Sequence, residues 1–291
     1  MCGIVGLFLK RPGLEPELGA HLATMLDTMR DRGPDSAGFA VYGADTPAVK
    51  LTIRATAKTD FTALATALNV PADVRDTHAV LHVPQARLAE IRTSLDAHPG
   101  ITVVGEGHRM ELYKEVGLPA DVAARFGLAQ MSGTHGIGHT RMATESAVTT
   151  DGAHPYTTGA DQCLVHNGSL SNHNALRRML VREGFRFETE NDTEVAAAYL
   201  SWRMREGDTL EAALHAGLKD LDGFYTFVVG TRTGFAVLRD PVCCKPAVMA
   251  ETDDWVAFGS EYRALVDLPG IESARVWEPE PARVYAWERA A

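Results

Sequence analysis

Cys2 follows Met1 directly and heads CGIVGLF, a β-branched, apolar run. Removal of Met1, which the small cysteine side chain permits, would leave a thiol and a free α-amino group in one residue. An α-amino group titrates at about 8, low enough to act as a general base at neutral pH. Nucleophile and base would then need no histidine partner, the N-terminal form of triad logic. Taken alone, a cysteine in an apolar strand reads as a small buried hydrophobe. Other residues change that balance. Asn167 and Gly168 in HNGSL can aim a side-chain amide and a backbone N–H at one point, the two donors an oxyanion hole needs. Alone they are the commonest signal of a tight turn, and HNGSL reads as a strand running into one. Arg141 in GHTRMAT stands among small residues, where it can clamp a carboxylate bidentately or sit as an exposed strand charge. Asp192 opens the helix of NDTEVAAAYL with Thr193 and Glu194; an acid there can hold an ammonium group and also suits the helix start.

These groups need elements to place them. Leu18, Leu22, Met25, Leu26 and Met29 share a face at helical spacing and predict a helix over 16–30. DRGPD ends it with turn chemistry, and a strand runs from Ala37 to Tyr42. Residues 45–130 read as a separate α/β unit, with VKLTIRAT, HAVLHVP, ITVVGEG and RMELYKEVG as strands and FTALATALNV and QARLAEIRTSL as helices. That unit holds no catalytic constellation. The first pattern resumes near Gly136. GIGHTRMAT and CLVHNGSL are strands, and NHNALRRMLVREG is a helix stopped by Gly184. Helices over 192–206 and 208–219 follow, then four short strands, FYTFVVG, GFAVLRD, PAVMA and WVAFGS. Helices flanked by antiparallel hairpins predict sheets covering a helical layer.

Composition narrows the function. The 291 residues are 45% hydrophobic and 23% charged, as globular chains are, with a net charge of −10. An acidic chain is a poor general nucleic-acid binder and a poor ligand for anionic membranes. No apolar run is long enough to span a bilayer. The N-terminus lacks a basic region and a small-residue cleavage site, so a cytoplasmic location is expected. Cys2, Cys163, Cys243 and Cys244 are too few and too irregular for a disulfide framework or structural zinc. Cys2 therefore matters, if at all, as a thiol.

In order along the chain, MCGIVG, RGPDSAG, GHTRMAT, AHP, HNGSL, NDTEV, RDPVCCKP and FGSE resemble the glutamine amidotransferase domain of the N-terminal-nucleophile hydrolases, the class II type. The resemblance runs from Met1 to about Tyr42 and from about Gly136 to the region of Leu265, and skips the α/β unit. It implies an α+β fold, a four-layer αββα sandwich of the N-terminal-nucleophile hydrolase type with the small α/β unit inserted at about 45–130. It also implies hydrolysis of the side-chain amide of L-glutamine and transfer of the ammonia. The family nucleophile falls on Cys2, and the oxyanion-hole donors on Asn167 and Gly168. The arginine that holds the α-carboxylate falls on Arg141, and the acid that holds the α-ammonium on Asp192. Thr144 and His154 match positions lining the glutamine pocket. Arg32 lies in a loop that packs beside the nucleophile. The chain departs from the family at Met142, where an aromatic is frequent, and at Glu145, where His or another polar residue is frequent. Cys243 and Cys244 replace a frequent glycine and read as buried spacers.

No phosphate-cradling GxxxxGK loop is present. Length and the inserted unit resemble the amidotransferase subunit of glutamate-synthase-like complexes, particularly N-methylglutamate synthase. That resemblance implies synthase subunits as partners, with flavin and an iron–sulfur cluster in a partner and no cofactor or metal in this chain. Two other readings stay open. One is a stand-alone γ-glutamyl amidohydrolase that channels nothing. The other is a catalytically silent subunit, which predicts damage at Cys2, Asn167 or Gly168; all three are present.

Overall fold

The computed structural model describes residues 2–143 and 147–289, apart from the side chain of Thr158. Strand β1 (Gly3–Leu9) is buried along its whole length, so its sequence is a continuous apolar run rather than an alternation. Its two faces still divide by the strand period of two. Val5, Leu7 and Leu9 face one core, and Ile4 and Phe8 another. Helix α1 (Leu18–Asp27) buries Leu18, Leu22, Met25 and Leu26 against the first of these. It is shorter than the predicted 16–30, because the segment Pro12–Glu17, with Pro12 and Pro16, forms a 3-10 turn instead. Strand β2 (Ser36–Tyr42) follows the DRGPD loop.

The inserted unit consists of β3 (Val49–Ala55), α2 (Phe61–Leu68), β4 (Ala72–Arg75), β5 (His78–Val83), α3 (Leu88–Asp96) and β6 (Ile101–Gly107). The sheet is antiparallel with order β4-β5-β3-β6, a β-α-β-β-α-β unit of ferredoxin-like topology. Leu51, Ile53, Phe61, Leu81, Ile91 and Leu95 form its own core. Asp60 starts α2 by accepting from the Ala63 N–H, and Asn69 ends it in the left-handed conformation. The next two elements, β7 (Met110–Val116) and α4 (Pro119–Phe126), were expected inside this unit. They belong to the main body instead. Strand β7 pairs with β2 from Ser36–Val116 to Tyr42–Met110, and α4 buries Val122, Ala123 and Phe126 beside α1. The separately folded sheet therefore spans 49–107 rather than 45–130. Its edge strand β4 escaped the sequence because its four residues are half-exposed and carry no alternation.

The main body continues with β8 (His135–Arg141), β9 (Tyr156–Gly159), β10 (Gln162–Leu170), α5 (His173–Arg182), α6 (Asp192–Arg205) and α7 (Leu210–Asp220). It closes with β11 (Gly223–Gly230), β12 (Gly234–Arg239), β13 (Val248–Glu251), β14 (Trp255–Gly259), β15 (Arg275–Trp277) and β16 (Val284–Glu288). One sheet has the order β15-β13-β14-β1-β8-β2-β7, the other β16-β12-β11-β10-β9. Ile4, Phe8, Ile137, Val165, Val228, Phe235, Val256 and Phe258 fill the space between the sheets. The outer face of the first sheet packs on α1 and α4, and that of the second on α5 to α7. The layers are thus αββα, as the family resemblance implied. Among the described residues no helix is long and apolar enough to cross a membrane.

Candidate active site

Both sheets deliver functional side chains to one end of the sandwich. In the first sheet Gly3 and Ala37 both lie opposite Thr140, which puts Cys2, Ser36 and Arg141 at the same strand ends. In the second, Asn167 lies opposite Thr226 and Gly168 opposite Tyr225. The sheets meet at the Cys2 carbonyl oxygen. The Asn167 Nδ2 donates to it at 3.2 Å and the Arg32 Nε at 2.9 Å. Cys2 itself is partly buried, with its Sγ 4.0 Å from the Met142 carbonyl oxygen. Arg32 is buried and also donates through Nη1 to Glu261 at 2.6 Å. Glu261 in turn pairs with Arg263 at 2.7 Å, and Arg263 with Asp31 at 3.2 Å. The loop that carries Arg32 lies flat on β8. A Cβ at Gly33 would fall 2.3 Å from the Thr140 carbonyl carbon and 2.5 Å from the Arg141 nitrogen, so only glycine allows this approach. The Asp35 N–H donates to the Arg141 carbonyl at 3.1 Å, and its Oδ2 accepts from the Ala143 N–H at 2.8 Å.

Asn167 and Gly168 do not form the turn that the sequence suggested. They sit inside β10, paired residue for residue with β11. Gly168 nevertheless has φ +152, and a Cβ there would meet the Phe224 carbonyl oxygen at 2.0 Å and the Tyr225 Cα at 2.7 Å. Glycine at this position fixes how the neighbouring amide is presented. Two residues further on, the Leu170 N–H donates to Asp192 Oδ2 at 2.9 Å. Asp192 is the first residue of α6, and the Asn191 side chain caps the helix by accepting from the Thr193 N–H at 2.8 Å. The carboxylate thus sits at the positive end of α6 and is tied to the strand that carries Asn167.

Arg141 is buried at the end of β8 beneath a strap of residues 151–155. A Cβ on Gly152 would lie 2.8 Å from its Nη1. The strap is held from below by Lys114, whose Nζ donates to the Asp151 and Ala153 carbonyls at 3.3 and 2.9 Å and lies 4.4 Å from the Tyr156 ring centre. Burial pushes the Lys114 amine down to about 8. His154, expected on the pocket wall, is buried behind it, with Nε2 2.8 Å from the Thr193 Oγ1. Thr144, also expected there, lies outside the described residues, as does Glu145. Cys243 and Cys244 are not buried spacers. Cys243 is half-buried and Cys244 exposed, because the segment after Asp240 crosses the surface between the two sheets.

Sequence reasoning gave no site role to His139, His166, Thr193, Glu261 or Lys114. The first four stand inside motifs already singled out, but nothing in their spacing says what they touch. His139 and His166 are buried, and loss of solvent pushes both imidazoles below their usual range, His139 to about 3. A cleft of about 1020 Å³ opens between the inserted unit and α6, with Arg92, Lys114, Arg186 and Glu194 in its lining; Cys2, Arg141, Asn167 and Asp192 are not part of it. Among the described residues no group of three or more His, Cys, Asp or Glu is placed to hold a metal ion.

The two sheets thus bring a strand-head cysteine, a buried arginine, an asparagine amide and a helix-start carboxylate to one end of the sandwich. The solved structure of glutamine phosphoribosylpyrophosphate amidotransferase from B. subtilis shares the fold, with a TM-score of 0.65 at 20% identity over 99% of this chain; the chain spans 47% of that one. Residues 139–267 match the family model of the glutamine amidotransferase domain. The chain is 64% identical to the glutamine amidotransferase-like protein GlxB of Rhizobium meliloti, over 99% of this chain and 98% of that protein. It is 32% identical to a putative glutamine amidotransferase of Methanothermobacter thermautotrophicus, over 98% and 99% of the two chains. The chain belongs to the class II glutamine amidotransferases and is an enzyme of that family.

Proposed function

We propose that Cys2, freed of Met1, hydrolyses the side-chain amide of glutamine. The α-amino group takes the thiol proton, and the sulfur attacks the amide carbon. Charge develops on the amide oxygen, where the Gly168 N–H and the Asn167 amide receive it. Asn167 already spends one N–H on the Cys2 carbonyl and has a second to give. The proton returns from the α-ammonium of Cys2 to the leaving nitrogen, the C–N bond breaks, and ammonia departs. Water then cleaves the thioester to glutamate and regenerates the thiol. Arg141 holds the substrate α-carboxylate and Asp192 the α-ammonium. Arg32 keeps the nucleophile's backbone in place rather than touching substrate.

The observation that carries this reading is the contact between Asn167 and the Cys2 carbonyl at 3.2 Å, because it joins residues 165 apart in sequence at one point. The acceptor of the ammonia is proposed to be a synthase subunit of a glutamate-synthase-like complex, N-methylglutamate synthase in particular, with flavin and an iron–sulfur cluster on the partner. The inserted unit, a separate sheet with its own core, supports that assignment. The test uses glutamine labelled with ¹⁵N in the amide, with and without co-expressed synthase subunits. Label entering the synthase product, and lost in Cys2→Ala, supports the reading. Label released only as free ammonia, with equal turnover of γ-glutamyl peptides, points to a stand-alone amidohydrolase.

A further inference from the structure

Behind the candidate site four buried side chains meet. The Thr193 Oγ1 lies 2.9 Å from the His166 Nδ1 and 2.8 Å from the His154 Nε2. The His154 ring stacks on His139, with centres 4.0 Å apart and planes 18° apart. The His139 Nε2 lies 3.1 Å from the His166 carbonyl oxygen. All four are buried. Three of them neighbour a different site residue in the chain, and the fourth lies on the strap that covers one of those. His139 precedes Arg141 by two on β8, which puts both on one face of the strand. His166 immediately precedes Asn167, and Thr193 immediately follows Asp192. His154 follows Gly152 by two on the strap over Arg141.

Hydrogen-bond accounting sets the protons. A carbonyl only accepts, so His139 carries its proton on Nε2. The Asp192 Oδ1 lies 3.7 Å from the His166 Nδ1 and favours a proton there. The Thr193 oxygen then accepts from both the His166 Nδ1 and the His154 Nε2, and its own proton points to the Asp192 Oδ1 at 3.5 Å. His154 thus carries its proton on Nε2, because its Nδ1 is buried with no acceptor beside it among the described residues.

We infer that Thr193, His166, His154 and His139 form one neutral brace of positioning residues, which fixes the oxyanion donor, the α-ammonium acceptor and the α-carboxylate arginine relative to each other. The brace rests on the glutamine-hydrolysis reading for its consequence, but its protonation pattern is independent of it. None of the four touches substrate; each acts through its neighbour. Thr193→Val keeps the shape of the side chain and removes the junction. Thr193→Ser keeps the hydroxyl.

The experiment pairs glutamine kinetics with long-range ¹H–¹⁵N spectra of the histidine rings. In the unaltered protein the spectra should show three neutral imidazoles, His139 and His154 protonated on Nε2 and His166 on Nδ1. In Thr193→Val the His154 and His166 signals should change. KM for glutamine should rise and kcat fall, with kcat/KM down about tenfold, the scale of one buried hydrogen bond. Thr193→Ser should restore kcat/KM to within about threefold. A lowered melting temperature with KM and kcat unchanged, or unchanged ring signals in a folded Thr193→Val, would overturn the brace. If the unaltered protein hydrolyses no glutamine, the reaction assigned above fails, while the ring spectra still decide whether the brace exists.

Discussion

Three buried histidines, His78, His135 and His139, are held neutral in the folded protein, each pushed down to about 3 chiefly by burial. His135 shows how neutrality is stabilised. Its Nε2 donates to the Thr231 carbonyl at 2.9 Å, and its Nδ1 lies 2.9 Å from the Thr134 hydroxyl, so both ring nitrogens are satisfied without a second proton. In the unfolded chain each titrates at about 6.5. Between those limits the unfolded state binds more protons, so stability is full above about pH 6.5 and falls as pH drops toward 3. From pH 7.5 to pH 5 the loss is about 2 kcal/mol per histidine, hence on the order of 6 kcal/mol for the three. That is a large part of the 5–15 kcal/mol, or about that, available to a globular protein. His154 and His166, also lowered by burial, add to the loss in the same direction. Lys114, pushed down to about 8, has completed its own loss above this window. Glu188, raised by burial, works in the opposite direction near the bottom of it. The assay is urea unfolding at pH 7.5, 6 and 5, with His135→Gln alongside. The unfolding midpoint should fall steeply with pH, and His135→Gln should flatten the slope by about one proton. Equal stability at pH 7.5 and 5, or an unaltered slope in His135→Gln, would refute the reasoning.

Other substitutions probe the site more directly. Asn167→Ala should lower kcat for glutamine hydrolysis by about 10²–10³, the usual loss of one oxyanion donor, with KM little changed; steady-state ammonia release measures it. Gly168→Ala drives a Cβ to 2.0 Å from the Phe224 carbonyl oxygen at a φ of +152. It should destabilise the protein by about 2 kcal/mol or more and abolish activity, as calorimetry and the same assay would show. Arg32→Lys keeps a cation for Glu261 but cannot also reach the Cys2 carbonyl with a fixed fork. Its kcat should drop about tenfold with the fold intact by circular dichroism.

The elements were readable because strands facing two cores are apolar throughout, but their layering was not: the flanking hairpins predicted sheets covering a helical layer, and the structure has helices covering two stacked sheets. Val5, Leu7 and Leu9 against Ile4 and Phe8 show the two-sided burial of β1 that makes its sequence run unbroken. The order αββα was not in the periodicity at all; it came with the family resemblance. Boundaries failed where local chemistry gave no sign of long-range pairing. RMELYKEVG reads as a strand of the inserted unit because it follows ITVVGEG closely, yet its partner is β2, some seventy residues earlier in the register that joins Tyr42 to Met110. Asn-Gly has strong turn chemistry, and pairing with β11 overrode it. At the site, Cys2, Asn167, Gly168, Arg141, Asp192 and Arg32 all gather at one end of the sandwich, while His154 lies behind it. The buried histidines were illegible, because a histidine in a strand reads the same whether it faces solvent or another histidine.

If Cys2 works as an N-terminal thiol in a glutamine-shaped site, intact mass before and after treatment with a glutamine-like diazo ketone will show it. The purified chain should lack Met1 and gain one adduct, blocked by excess glutamine and absent in Cys2→Ala. Retention of Met1 in a protein that still hydrolyses glutamine, or an adduct that survives in Cys2→Ala, would contradict it.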